Sequence, residues 1–379
     1  MNDFLDMVVI GGGITGLGVA REASKQGLKV ALVEKSKINQ GTSKNSLRII
    51  HGGLRYLQSL NILRARESIL EQGRHLKEYS RYIKPLPCLM PLSATGLKSK
   101  YPISLGIRLY NFLRFASQNS LSSPKILDKE FVLKESQILS GLSNTHYLLW
   151  QDAVVTDPND LAQSFLDYLL MHNGQVYEHA QVLKISRCYD SFNVSMLSEN
   201  IEKSLRTKTV VNATGPFIDS ISLEEIIHRR QPMRWVKGFN VVINFQLDPK
   251  YAFSVTSNNG RLYFAVPRGH RTAIGTGYIR HWGEQGNLDI PEFEVKSFLE
   301  DFTQALNGPK IDLSNIEVVE SGILPAENTN GSNIELAGRY QLNFDRGYCE
   351  ILSTKYTTFG VQAEKIVSNL MKFLKRDYR

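Results

Sequence analysis

Cysteine is scarce in this chain of 379 residues. Cys88, Cys188 and Cys349 are far apart and form no Cys-x-x-Cys pair. That spacing excludes a disulfide framework and a thiolate zinc site, and it fits a reducing compartment; no metal centre is expected. Long apolar runs are missing as well, since no window approaches the roughly 20 residues that cross a bilayer. The amino terminus, Met-Asn-Asp-Phe-Leu-Asp, puts no basic stretch before its apolar run, and that run meets a glycine cluster after four residues. Neither a signal peptide nor a membrane span is expected, and the expected location is cytoplasmic. Repeats and low-complexity tracts are also absent. With 42% hydrophobic and 22% charged residues, the composition is that of a globular protein of two or three domains, at roughly 150 residues per domain.

Acidic residues are missing from two stretches, Glu34 to Glu67 and Glu78 to Asp128. Residues 1–125 carry 19 Lys and Arg against 7 acids, whereas the remainder carries 26 against 30. The net charge of +8 therefore belongs to the amino-terminal third. Such a segment faces something anionic: a dinucleotide pyrophosphate, an acidic substrate or anionic lipid. No aromatic-basic motif or recognised module accompanies it, so nucleic acid is not an expected partner. Residues 79–127 hold 7 Lys or Arg and no acid. Within them, residues 104–116 read as an amphipathic helix with Leu105, Leu109, Phe112, Leu113 and Ala116 on one face, and Tyr110 and Phe115 besides. That resembles an interfacial segment lying on the inner face of a membrane, with Arg108 and Arg114 toward lipid; the alternative is a helix packed on its own protein.

Residues 7–34 read as strand, glycine turn, helix closed by Gly27, and second strand, a βαβ opening. A helix is expected from about Leu60 to Tyr79, then a proline-interrupted stretch from Pro85 to Pro91 and a Ser-rich linker at 117–124. The α/β pattern resumes at Trp150 and ends in the strand and turn TVVNATG (209–215). Residues 234–280 change to β-strands with hairpin signals at Asn258-Asn259-Gly260 and Arg268-Gly269. A helix around 291–306, a strand, a long loop at 326–346 and a final helix from about Thr357 to Lys375 follow. The expected fold is α/β, a discontinuous Rossmann-like dinucleotide domain (1–85, 150–225 and 320–379) interrupted by a domain built on an antiparallel sheet (86–149 and 226–319).

Gly11, Gly13 and Gly16 form G-x-G-x-x-G between strand and helix, with Ile14 and Thr15 opening the helix. These glycines serve the tight turn, backbone approach to a pyrophosphate, and close helix–strand packing. Glu34 ends the second strand, where a carboxylate accepts from ribose hydroxyls. A second glycine motif is lacking, so one dinucleotide is expected: a transient NAD, or a flavin with an outside electron acceptor. The late TVVNATG strand favours flavin.

GGGITGLG with Glu34, GTSKNSLRIIHGGLRYL at 41–57, VVNATG at 210–215 and STKYTTFG at 353–360 resemble the FAD-dependent glycerol-3-phosphate dehydrogenases, within the D-amino acid oxidase-like (DAO) superfamily. The resemblance implies FAD, its adenine end on the βαβ unit and its isoalloxazine near the final helix. It implies cofactor contacts from Gly11, Gly13, Ile14, Thr15, Gly16, Glu34, Lys35, Thr42, Ser43, Ser46, Gly52, Gly53, Val182, Ala213, Thr214, Gly215, Gly322, Lys355 and Thr357. Lys355 and Thr357 would stand where a helix amino terminus and an ammonium stabilise the anionic reduced flavin. Arg55 is expected to reach the substrate, since a guanidinium holds phosphate or carboxylate in a bidentate pair. His51 is expected to pack or hydrogen-bond, neither attaching flavin nor catalysing.

Two departures follow. Where that group has a histidine in a KGSH-like strand, this chain has Lys237-Gly238-Phe239-Asn240; where it has an arginine in GVRPL, this chain has Leu324 in Ser321-Gly322-Ile323-Leu324-Pro325. Asn240 orients a hydroxyl but cannot take its proton, and Leu324 cannot pair with phosphate. The expectation is oxidation of a small anionic alcohol other than glycerol 3-phosphate by hydride transfer to flavin N5, with Arg55, Lys355 and Asn240 as catalytic residues. The base is sought among His270, Tyr56, Tyr278 and Lys355, and a substitute cation among Arg268, Arg271 and Arg280. A quinone or oxygen would take the electrons. Amine or amino-acid oxidation stays open, as does a flavin-binding protein without catalysis.

Overall fold

The computed structural model describes residues 4–58, 61–117, 119–224, 233–281, 286–329 and 334–376. Its first sheet has nine strands around Leu5–Ile10. Met7, Val8 and Val9 are apolar in succession and fully buried, as a strand covered on both faces requires. Val30–Val33 lies parallel on one side and Ile201–Asn212 on the other, and Tyr348–Leu352 extends the parallel set. Helices Ile14–Lys25, Pro158–Met171 and Phe359–Arg376 cover one face through Val9, Leu17, Phe165 and Ile366. An antiparallel meander, Ala180–Cys188 and Ser191–Ser198 with the first half of Ile201–Asn212, closes the other through Val8, Ile185, Val194 and Met196.

The second sheet has ten strands in the order Glu335–Leu336, Ile316–Asn328, Arg234–Ile243, Arg271–Arg280, Leu262–Arg268, Ala252–Thr256, Ile83–Pro91, His146–Val155 and Ile49–Ile50, with Lys125–Asp128 also on His146–Val155. Phe239 and Val241 point into a core with Phe298 and Phe302 of helix Glu292–Leu306. Side chains alternate along a strand, so Gly238 and Asn240 face the opposite way, Asn240 toward the loop at 42–46 and Gly238 toward Leu324, Tyr278 and Thr276.

Three expectations change. The stretch Pro85–Pro91 is part of a strand: Ala252–Thr256 pairs with it only at Cys88 and Leu89, so Pro85 and Pro87 fall where that neighbour asks for no N–H. The expected loop at 326–346 is partly sheet, because Gln341–Asp345 forms a hairpin with Tyr348–Leu352 across Arg346 and Gly347, both at positive φ. Helix Lys100–Ala116 buries Ile103, Tyr110 and Leu113, while Leu105 and Phe112 face solvent; the side chain of Ala116 and the expected helix start at Leu60 lie outside the described residues. The expected boundaries at 85/86, 149/150 and 319/320 fall inside strands of the second sheet, and the one at 225/226 lies outside the described residues.

Candidate active site

The glycine turn is built for close approach. Gly11 has φ +104°, and a Cβ there would lie 2.5 Å from the Ala213 carbonyl oxygen; a Cβ on Gly16 would collide with the Gly11 oxygen. Glu34 accepts the Gly12 N–H at 2.7 Å and the Ser36 N–H at 2.9 Å, which fixes its carboxylate at the end of the second strand. Lys35 sits 2.9 Å over the Phe217 ring, its pKa lowered by burial against the opposing charge of Glu34. Ala213 donates to the Ile10 oxygen at 2.8 Å, the Thr214 hydroxyl donates to Asn212 Oδ1 at 2.7 Å, and Gly215 takes φ +59°. Val182 is buried with Val33 and Ala180 where strand pairing shifts register. A glycine turn without Cβ atoms at a helix amino terminus, with a carboxylate at the second strand's end, fits a dinucleotide.

The loop at 42–46 ties this unit to the second sheet. Ser43 Oγ accepts the Ile14 N–H at 3.0 Å, while the Thr42 hydroxyl accepts from Ile323 N–H and donates to its oxygen, both at 3.2 Å. Gly322 is glycine because a Cβ would lie 2.7 Å from Thr42 Cγ2. Asn45 donates to the Ser321 oxygen at 2.7 Å, and Asn240 donates to the Asn45 oxygen at 2.9 Å. The Ser46 hydroxyl turns back to the Ser43 oxygen and to Arg48 N–H, within the loop itself.

Beyond that loop the HGGLRY segment meets the turn before the last helix. His51 N–H donates to Thr357 Oγ1 at 3.0 Å, and His51 Nδ1 lies 3.0 Å from Asp152 Oδ2. Asp152 is buried, and its other oxygen accepts from Gly52 N–H at 2.8 Å and Gln72 at 3.3 Å. The imidazole itself is half exposed and meets Phe264 edge-on. Gly53 has φ +79° and backs onto Ala65 and Ser68. Lys355 Nζ stands 4.5 Å from the Tyr56 ring centre and donates to the Gly338 oxygen at 3.2 Å. Burial first, then the charges of Arg64 and Arg55, pull its pKa down to about 8. Arg55 is exposed on the short helix Leu54–Gln58 and acts electrostatically on Tyr56, Tyr278 and Lys355. Burial raises the Tyr278 phenol, which bonds Thr276, and Thr276 donates to Asn240 Oδ1 at 3.1 Å. Leu324 lines the same face, beside Gly238 and Tyr278.

Arg55, Lys355, Tyr56, Tyr278, Asn240 and Thr357 thus gather on one side of the second sheet, together with His51. Arg268 and Arg271 do not join them: Arg268 chelates Glu320 at 2.8 and 2.9 Å, and Arg271 pairs with Glu317 at 2.7 Å. His270 is exposed in the far hairpin turn, eight residues and therefore about 26 Å along the strand from Tyr278. Arg114 is buried against Tyr110 and donates to the Asn119 oxygen, so it does not face lipid. Sequence reading missed Asp152 and Arg64; a lone acid in the apolar strand HYLLWQDAVV was the available signal for the first.

Comparison with known proteins shows the family and the fold. Residues 6–343 match the family described as DAO, FAD dependent oxidoreductase. Aerobic glycerol-3-phosphate dehydrogenase of Staphylococcus aureus is 28% identical over 393 residues, covering 100% of this chain and 69% of that protein. Its counterpart in Staphylococcus saprophyticus is 28% identical over 396 residues, 98% of this chain and 68% of that one. Glycerol-3-phosphate dehydrogenase from Bacillus halodurans, solved with FAD, superposes with a TM-score of 0.72 at 20% identity, over 98% of this chain and 65% of that one. L-alpha-glycerophosphate oxidase from Mycoplasma pneumoniae, with FAD bound, gives 0.72 at 18% identity over 98% and 95%. Glycine oxidase from Geobacillus kaustophilus gives 0.70 at 16% identity over 97% and 95%. The chain belongs to the DAO family of FAD-dependent oxidoreductases.

Proposed function

We propose that this enzyme oxidises the C–OH group of a small anionic alcohol, a substrate like glycerol 3-phosphate in charge but held by different side chains. The observation that carries the reading is the His51–Asp152 pair beside the cations Arg55 and Lys355. FAD, when bound, supplies the hydride acceptor at N5; the residues of the glycine turn, Glu34, Thr42, Ser43 and the turn at 213–215 hold it. Asp152 accepts from Nδ1 and leaves the Nε2 lone pair of His51 free to take the hydroxyl proton, the role for which Asn240 is chemically unfit. His51 therefore becomes the preferred base in place of His270, Tyr56, Tyr278 or Lys355. Arg55 and Lys355 hold the anion, and Asn240, fixed by Asn45 and Thr276, orients the reacting hydroxyl. Anaerobic mixing with polyol phosphates, hydroxy acids and amines is the test: bleaching of the flavin by an anionic alcohol is expected. Bleaching by amines alone would replace this reading with amine oxidation, and bleaching by none would leave a flavin-binding protein.

We further propose that electrons leave to a quinone or oxygen and that the protein docks on anionic lipid. No helix among the described residues is long and apolar enough to cross a membrane. Tyr101, Leu105, Phe112 and Phe115, 85%, 70%, 70% and 89% exposed, form with Arg108 one stripe at helical spacing. Apolar side chains and basic charge on one exposed face suit an interfacial helix. Co-sedimentation with phosphatidylglycerol vesicles is expected and should fall with phosphatidylcholine; equal, negligible pelleting would refute docking.

A further inference from the structure

Two cations lie against one aromatic ring in the site, and a third acts on it. Arg64 Cζ lies 4.9 Å from the Tyr56 ring centre on one side, and Lys355 Nζ lies 4.5 Å from it. Gly338 sits between them: its oxygen takes the Lys355 ammonium, and a Cβ there would lie 3.3 and 3.4 Å from the two Arg64 terminal nitrogens. Arg55 adds a third positive charge that both Tyr56 and Lys355 sense. Carboxylates balance them only in part: the charge of Glu67 acts on Lys355 and Tyr56 but is shared with other donors, and Glu327 lies at Gly338 without pairing with Arg64. Glu67 is held by the Tyr340 hydroxyl at 3.3 Å and Lys365 at 3.9 Å, and Glu327 accepts the Gly338 N–H at 2.7 Å. Among the described residues neither Arg55 nor Arg64 has a carboxylate within ion-pair distance.

Like charges held this close around a half-buried ring need an anion between them. We propose that Arg64 is a substrate-binding residue, which together with Arg55 and Lys355 holds two negative charges of the substrate over Tyr56. Arg64 then does from helix Ile62–Glu78 what Leu324 cannot do from the sheet. The inference rests on the anionic-substrate reading above and sharpens it, because a phosphate or a pair of carboxylates satisfies three cations where a single carboxylate does not.

Titrating the FAD-loaded enzyme with inorganic phosphate and with malonate, followed by the flavin absorbance, tests it. Arg64→Ala should weaken the tighter of the two probes by about tenfold or more, the loss of one charge-assisted contact. Arg64→Lys should recover part of that loss, and Arg66→Ala, on the exposed side of the same helix, should change nothing. Tighter phosphate identifies a phosphate substrate, and tighter malonate a dicarboxylate. Binding unchanged in Arg64→Ala, or absent in the unsubstituted enzyme, overturns the proposal. If Arg64→Ala loses the probe while no anionic alcohol bleaches the flavin, the alcohol reading fails and the anion site stands. Should Arg64→Ala lose its flavin, Arg64→Lys against Arg66→Ala decides alone, equal binding in the two overturning the role of the planar guanidinium.

Discussion

Asp152→Asn is the substitution that isolates the proposed base. Asp152 Oδ1 takes two donors, Gly52 N–H and the Gln72 amide, so the oxygen of an asparagine must stay there. Its amide group is then forced to face His51 Nδ1, where the carboxylate oxygen had been at 3.0 Å. Donor facing donor is repulsive, and the imidazole relieves it by moving its proton to Nε2, the atom that must accept from substrate. The lost charge-assisted hydrogen bond is worth about 1.5–3 kcal/mol. At 1.36 kcal/mol per decade that is a fall of about 10- to 150-fold in the rate of flavin reduction. The wrong tautomer carries it further, toward the factor of about 10²–10⁴ that general bases contribute. The assay is anaerobic stopped-flow reduction with any substrate that bleaches the unsubstituted enzyme, with flavin content as the check on folding. Flavin reduction at the unsubstituted rate, in a fully loaded Asp152→Asn protein, would refute the assignment.

Other outcomes follow from the same contacts. Gly16→Ala should abolish flavin retention, because its Cβ would collide with the Gly11 oxygen; flavin content after gel filtration measures it. Glu71 caps the last helix through Val361 N–H at 2.7 Å and is pushed up to about 7 by burial, while burial lowers neighbouring His75 to about 4. The raised Glu71 makes stability fall as pH rises from 4.5 toward 7, and the lowered His75 makes it rise from 4 toward 6.5. The two slopes oppose each other, so Glu71→Gln should leave only the rise, visible as a Tm that climbs between pH 4 and 6.5 where the unsubstituted protein changes less. Phe115→Asp should reduce pelleting with anionic vesicles and leave flavin reduction unchanged. Lys355→Met should weaken substrate binding and remove the ionisation near pH 8 from the kcat/KM profile.

How much of this was legible in the sequence depends on how far apart its partners lie along the chain. The dinucleotide half was readable because most of its contacts are local: Gly11, Gly16, Ser43 and Glu34 all lie within one βαβ unit and the loop after it, and Gly16 is required by the nearby Gly11 oxygen, although Gly11 itself is required by the distant Ala213. The substrate half is assembled by pairings that no local pattern encodes. Asp152 meets His51 across 101 residues because Ile49–Ile50 and His146–Val155 are antiparallel neighbours, Ile50 lying opposite Ala153. A histidine that looked like packing in its own segment thereby becomes the proposed base. Arg64 looked like one cation among many on a basic helix; only the return of the chain at Gly338 and Lys355 brings a second cation against the same Tyr56 ring. The arginines of the hairpins misled for the converse reason. Their acids, Glu317 and Glu320, are about fifty residues away in sequence, two strands across in the sheet from the strand of Arg271 and three from that of Arg268. Composition gave the sign of the site's charge, but which cations remain for substrate was decided by strand order.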